Sequence, residues 1–148
     1  MCIRDRDTSS LEAQLIHEVW RNDLEAVKHL LASGANPNKP GRAWSSAIAC
    51  AGENDRTGEV AQALARAGAD INIQDEHGTT PLHHAVDIAI DGAIQNDEES
   101  FDWTVVGVFL TLGADPQIRD RRGKTVFDCA AAYGDYAHKS FSKFMASR

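Results

Sequence analysis

The sequence predicts an all-α solenoid built from stacked helix–turn–helix units, with an insertion in the third unit. Three observations carry that reading. First, one phrase recurs: Gly34-Ala35-Asn36-Pro37-Asn38, Gly68-Ala69-Asp70-Ile71-Asn72 and Gly113-Ala114-Asp115-Pro116-Gln117, at intervals of 34 and 45 residues. Second, another phrase leads three of the units: Ser46-Ala47-Ile48-Ala49-Cys50-Ala51, Thr80-Pro81-Leu82-His83-His84-Ala85 and Thr125-Val126-Phe127-Asp128-Cys129-Ala130. Third, the segments between the phrases place apolar residues at helical spacing: Leu24, Val27, Leu30 and Leu31, then Val60, Ala63 and Leu64, then Val105, Val106, Phe109 and Leu110. A unit this small buries its apolar face only against its neighbours, so the repeat decides the architecture.

The elements follow in order. Ser9 and Glu12 have the spacing of a capping box, which starts a first helix there. That helix carries Glu12, Gln14, His17 and Glu18, polar residues suited to a terminal unit with one solvated face. The second unit opens on an unusually long turn, Lys39-Pro40-Gly41-Arg42-Ala43-Trp44. In the third, Thr80 caps a helix and Pro81 occupies its first turn, where no N–H is needed. Gly34, Gly68 and Gly113 each supply the left-handed residue that ends a second helix. The following Asn or Asp, with Pro37 and Pro116, turns the chain onward. The long interval places about 12 extra residues between the helices of the third unit. They are expected as a loop over Asp91 to Asp102, with the first helix extended through Ile88 and Ile90. Phe101 and Trp103 pin that loop to the second helices. In the last segment Phe141, Phe144 and Met145 face inward while His138, Lys139, Ser142 and Lys143 stay wet, as a C-terminal cap requires.

These phrases, in register, make the chain resemble the ankyrin repeat family, in which TPLHxA, a helix pair and GADxN recur about every 33 residues. The best match runs from His77-Gly78 through Thr80-Pro81-Leu82-His83-His84-Ala85, and the resemblance covers roughly residues 9 to 148. The expected organisation is one domain over 8–148, with repeats at about 8–38, 39–74, 75–119 and 120–148. Residues 1–7 stand apart. Met1-Cys2-Ile3-Arg4-Asp5-Arg6 can be back-translated to a sequence that resembles the transposon end ligated onto fragments in DNA library preparation, so this segment is expected to be a non-native, adapter-derived leader.

Composition bounds the function. A chain of 148 residues with 43% hydrophobic and 25% charged residues is an ordinary single globular domain. The longest charge-free apolar stretch, Trp103 to Ala114, is too short to span a bilayer, and no secretory h-region follows Met1. A cytoplasmic location with no membrane contact is therefore expected. The net charge of −7 argues against nucleic acid as a partner. From Ala67 to Ile118 there are ten acids and no Lys or Arg, whereas Arg119, Arg121, Arg122 and Lys124 follow directly. Such asymmetry orients a partner. Cys2, Cys50 and Cys129 form no CxxC pair, and Cys50 and Cys129 occupy the same slot two repeats apart, on the order of 20 Å, so free thiols are expected.

Catalytic signals are weak. His83 and His84 are adjacent, so on a helix they point in different directions; His77, in the preceding turn, can approach either. The resemblance implies that His83 makes structural hydrogen bonds. No Cys or His set has zinc spacing, and Asp97, Glu98, Glu99 and Asp102 lack the glycine and alternating ligands of a calcium loop. Phosphate-binding and nucleophile-elbow motifs are missing from the sequence. The reading is a non-enzyme without metal or cofactor.

What remains is recognition. The resemblance implies that a partner protein is held by the turn tips and the concave face of the first helices. Carried over by position, the tips are Arg42 and Trp44, then Glu76, His77 and Thr79, then Arg121, Arg122 and Lys124. The concave positions are Trp20 and Arg21, Glu53 and Asn54, Asp87 and Ile88, and Ala132 and Tyr133. Trp20, Trp44 and Tyr133 would be aromatic anchors, and Arg121 and Arg122 charged ones. The expected state is a monomer that binds another protein. Two alternatives stay open: an inhibitor or immunity-type protein that blocks a toxin or enzyme, and the C-terminal fragment of a longer scaffold.

Overall fold

A computed structural model describes residues 10–40, 46–98 and 100–148. Among the described residues there are eight helices and no strand. They run α1 (Leu11–Trp20), α2 (Leu24–Ala32), α3 (Ala47–Asn54), α4 (Glu59–Arg66), α5 (Pro81–Gln95), α6 (Thr104–Thr111), α7 (Val126–Ala132) and α8 (Asp135–Ala146). First helices α1, α3, α5 and α7 pack successively in an inner layer, and α2, α4 and α6 follow behind them. Each unit is a helix pair, and the apolar stripe of each second helix closes against its own first helix. One core therefore runs the length of the stack, from Leu15, Val19 and Val27 through Ile48, Leu64, Leu82 and Val86 to Phe109, Val126 and Phe141.

The recurring Gly-Ala dipeptide has a definite job. The amides of Gly34, Gly68 and Gly113 donate to Leu31, Ala65 and Leu110, and those of Ala35, Ala69 and Ala114 reach Leu30, Leu64 and Phe109. This paired closure needs the first residue left-handed, and the three glycines have φ of +101°, +97° and +101°. Alanine then tucks its methyl inward. The terminal Asn of the phrase links units. The Asn38 side chain accepts from the Asp70 amide at 2.7 Å and donates to the Gly68 carbonyl at 2.9 Å. Asn72 does the same to Asp115 and Gly113, at 2.8 and 3.2 Å. In the first unit Glu12 takes this accepting role, at 2.9 Å from the Asn36 amide, and that hydrogen bond, with the Lys39 ammonium near it, holds the carboxyl below its usual range.

Two expectations need correction. The first helix is capped by Ser10, which accepts from the Ala13 amide; Ser9 lies outside the described residues. Glu12 is drawn away to Asn36, so the expected box has lost its second arm. The insertion is also more helical than expected: α5 continues through Asp91 to Gln95, and the loop begins at Asn96. Its end is the same paired closure, with the Asp97 amide on Ile94, the Glu98 amide on Ala93, and Asp97 at φ +55°. Asp is among the few non-glycine residues that tolerate this conformation.

The turn between α3 and α4 rests on Asp55. Its buried carboxylate accepts from the amides of Thr57, Gly58 and Ala61 at 3.2, 3.0 and 2.9 Å, so it caps a helix whose own N-cap, Gly58, has no side chain. Asp55→Ala is expected to cost about 2 kcal/mol, because a cap is lost and two buried amides are left without an acceptor. An unchanged urea midpoint would refute this account of the turn.

Candidate partner-binding face

The turn tips are built from aspartate. The amides of His77 and Thr79 donate to Asp75 at 2.8 and 3.0 Å, and those of Arg122 and Lys124 donate to Asp120, both at 2.9 Å. The two tips are therefore copies of one turn, with Gly78 and Gly123 left-handed at φ +73° and +78°. They also stack: the Arg121 amide donates to the His77 carbonyl at 2.9 Å, and its guanidinium to the Glu76 carbonyl at 2.8 Å. A Cβ on Gly78 would lie 2.9 Å from the Arg121 nitrogen, so this close approach requires glycine.

Of the tip residues, Glu76, His77, Arg122 and Lys124 project into solvent, whereas Thr79 is half-buried. Arg121 is exposed but spends its guanidinium on the neighbouring tip. Arg42 and Trp44 lie outside the described residues. On the inner helices, Trp20 is 57% exposed and its ring stacks near His17, while Arg21 pairs with Glu18 at 3.3 Å. Ile88 is 41% exposed and Tyr133 36%. The Tyr133 hydroxyl donates to Asp87 across α5 and α7, and burial together with that carboxylate pushes the phenol up. Asn54 donates to the Cys50 carbonyl at 3.1 Å, and Ala132 lines a cleft of about 540 Å³ with Tyr133, Arg122 and Lys124.

The histidines divide as their sequence positions suggest, with one exception. His83 is buried. The Thr80 amide donates to its Nδ1 at 3.2 Å, so the proton sits on Nε2, which donates to the Lys124 carbonyl at 3.0 Å in the next unit. His84 does not meet His77. Its Nδ1 lies 2.9 Å from Glu53 and its Nε2 3.6 Å from Asp75, while His77 faces Glu76 at 3.6 Å. The reason is geometric: Asp75 closes its turn at the foot of α5, and His77 stands at the outer tip. Among the described residues no group of three or more His, Cys, Asp or Glu is arranged to hold a metal ion. No helix among them is long and apolar enough to cross a membrane.

Sequence reasoning missed Glu53 as the partner of His84, and it missed the linking roles of Asn38 and Asn72. The Asn that closes the first two recurring phrases was the available signal for the latter.

Cys50 is buried and Cys129 half-buried, and both are free thiols. Burial pushes the Cys50 thiol up to about 12. Burial, then the carboxylates of Asp120, Asp87 and Asp128, pushes Cys129 up to about 11. Neither is activated as a nucleophile. In the unfolded chain both ionise above roughly pH 8.5, while the folded thiols remain protonated. Stability contributed by the thiols is thus complete below that value and is lost as pH rises toward the folded values. Cys50→Ala is expected to shrink the fall in melting temperature between about pH 7 and about pH 10. Equal falls in both proteins would contradict it.

The helix pairs, the left-handed glycines and the stacked aspartate turns agree with what sequence comparison finds. The family model for ankyrin repeats (three copies) matches residues 15–91. This chain belongs to the ankyrin repeat family. Ankyrin repeat and SOCS box protein 6 of Homo sapiens is 34% identical over 112 residues, covering 75% of this chain and 25% of that protein. The same-named protein of Pongo abelii matches at 34% over 112 residues, with the same coverage of 75% and 25%. Ankyrin repeat protein L86 of Acanthamoeba polyphaga mimivirus is 26% identical over 138 residues, covering 85% of this chain and 23% of that protein. The chain thus spans about a quarter of the length of these relatives. Ankyrin repeats are general protein–protein interaction modules, and such proteins are mainly non-catalytic.

Proposed function

We propose that this chain is a non-catalytic module that holds a partner protein on its inner helices and turn tips. One observation carries the reading. Among the described residues, the large apolar side chains most exposed to solvent are Trp20, Ile88, Ile94, Tyr133 and Tyr136; the first four lie on, or directly at the end of, inner helices α1, α5 and α7, and Tyr136 lies on α8. The outer helices α2, α4 and α6 present none. Apolar exposure gathered on one layer is how a binding face differs from scattered surface residues. The basic tip at Arg122 and Lys124 and the acidic middle supply orientation rather than bulk affinity.

The test uses random dodecapeptides displayed on phage and selected on the full chain, followed by hydrogen exchange with the leading synthetic peptide. Protection is expected in α1, α5, α7 and the tips. Trp20→Ala or the pair Arg122→Glu/Lys124→Glu should weaken peptides that dock beside them about tenfold, with the melting temperature nearly unchanged. Arg121 is left alone in this test because its guanidinium holds the Glu76 carbonyl. Protection confined to α2, α4 and α6 would overturn the proposal. An inhibitor or immunity-type role is a narrower form of the same reading, with a basic toxin or enzyme as the partner.

A further reading is favoured by the small share of its relatives that the chain spans: it is part of a longer repeat array. Sequencing the source DNA across the gene tests it. Further Gly-Ala-Asp phrases in frame support it, and a start codon close upstream of Thr8 counts against it.

A further inference from the structure

The insertion builds a groove beside the third unit. Helix α5 has 15 residues against 8 in α3 and 7 in α7, so it overshoots both by about two turns. The loop after Asn96 then folds back toward α6. Between the end of α3, the overshooting part of α5 and this loop lies a cleft of about 460 Å³, within the size range of ligand-holding clefts. Its floor is aliphatic, with Ile88, Ala89 and Val105, and Ile88 stays substantially open to solvent. Its rim is acidic: Glu53 on one side, Glu98 and Asp102 on the other, against the single guanidinium of Arg56. Asp55 also borders the cleft, but its carboxylate is committed to the α4 amides. Glu53 is shared with His84. Glu98 and Asp102 are the carboxylates most open to a ligand, and the Thr104 hydroxyl and amide hold Asp102 below its usual range, so it stays charged.

We infer that this groove binds a segment of a partner protein in which a Lys or Arg neighbours an aliphatic side chain, the aliphatic group resting on Ile88 and Val105 and the cation facing Glu98 and Asp102. Charge complementarity selects the occupant, since the surrounding stretch from Ala67 to Ile118 contributes acids and no Lys or Arg. The inference rests on the partner-binding reading above, and adds where on the inner face the segment sits and what it must carry.

The same selected dodecapeptides test it. Enrichment of Lys or Arg next to Leu, Ile, Met or Phe is expected. The leading synthetic peptide should lose at least tenfold in affinity to Glu98→Lys/Asp102→Lys, and a similar amount to Ile88→Asp. Its affinity should fall as salt is raised. Gly92→Leu guards against misfolding as the cause: Gly92 lines the cleft and a Cβ there meets nothing within 4 Å, so the larger side chain is expected to narrow the cleft without disturbing the helix. That variant should melt no lower than the parent and bind at least tenfold more weakly. Selected peptides without basic residues, no enrichment at all, or indifference to the three groove variants would overturn the inference. Indifference combined with a loss in Trp20→Ala or Arg122→Glu/Lys124→Glu would leave the partner-binding face standing and remove only the groove. Sedimentation showing concentration-dependent self-association abolished by Glu98→Lys/Asp102→Lys would also overturn it, by making a second copy the occupant.

Discussion

Truncation of Phe141 to alanine is expected to destabilise the chain by about 3–5 kcal/mol and to release its last unit before any other. Phe141 is fully buried and is the hub of an aromatic cluster: its ring centroid lies 5.1 Å from Phe127 on α7 and 5.3 Å from Trp103 at the end of the insertion. Trp103 in turn meets Phe144 and Phe101, and Phe101 meets Tyr136. One side chain therefore joins α7, α8 and the returning loop. Removing it opens a cavity that its neighbours fill poorly, because rings held on three separate elements do not collapse together. In a solenoid each unit leans only on its neighbours, so the loss is local. Amides of α7 and α8 should exchange faster, while those of α1 and α2 hold. Trp103 emission should shift to the red well below the global transition. A uniform loss of protection along the whole stack would refute this picture of independent terminal closure.

Most of the fold was legible because its signals are local and repeated. Gly34, Gly68 and Gly113 were readable as helix ends since only the left-handed conformation closes both amides there, and Thr80-Pro81 was readable as a helix start for similarly local reasons. The insertion was misjudged where those signals were absent. The α5 terminus uses Asp97 in the slot that glycine fills elsewhere, so nothing marked the end at Asn96. Contacts set by the third dimension were also out of reach. Glu53 and His84 are far apart in sequence, and their approach depends on Gly52, where an added Cβ would sit 2.7 Å from the Pro81 carbonyl oxygen. Register leaves Trp20, Ile88 and Tyr133 exposed on or at the end of inner helices, whereas Glu53 and Asn54 are half-buried, and a groove formed by the unequal lengths of α3 and α5 cannot be read from register.

His83→Ala is expected to cost about 3 kcal/mol, the second large effect, and to do so without touching any chemistry. The side chain is buried and its two ring nitrogens serve different units. Nδ1 accepts from the Thr80 amide and sits 2.8 Å from the Thr80 hydroxyl, closing the cap of α5. Nε2 donates to the Lys124 carbonyl, tying the third unit to the base of the last tip. Alanine leaves the Thr80 amide and the Lys124 carbonyl short of partners in partly dry surroundings, and adds the lost packing of the ring. For a domain of this size the melting temperature should fall by roughly 6–12 °C. The last unit suggests a control: at Thr125 the cap is closed by Asp128, whose carboxylate accepts from the Thr125 amide at 2.9 Å and, as an acceptor only, donates to no carbonyl. His83→Asn keeps an acceptor at the cap and gives up the reach to Lys124, so it should recover about half of the loss. If His83→Ala melted like the parent, both hydrogen bonds would be energetically idle. If it melted like the parent and also abolished a turnover detected in a hydrolase screen, the reading of this chain as a pure binding module would fall with it.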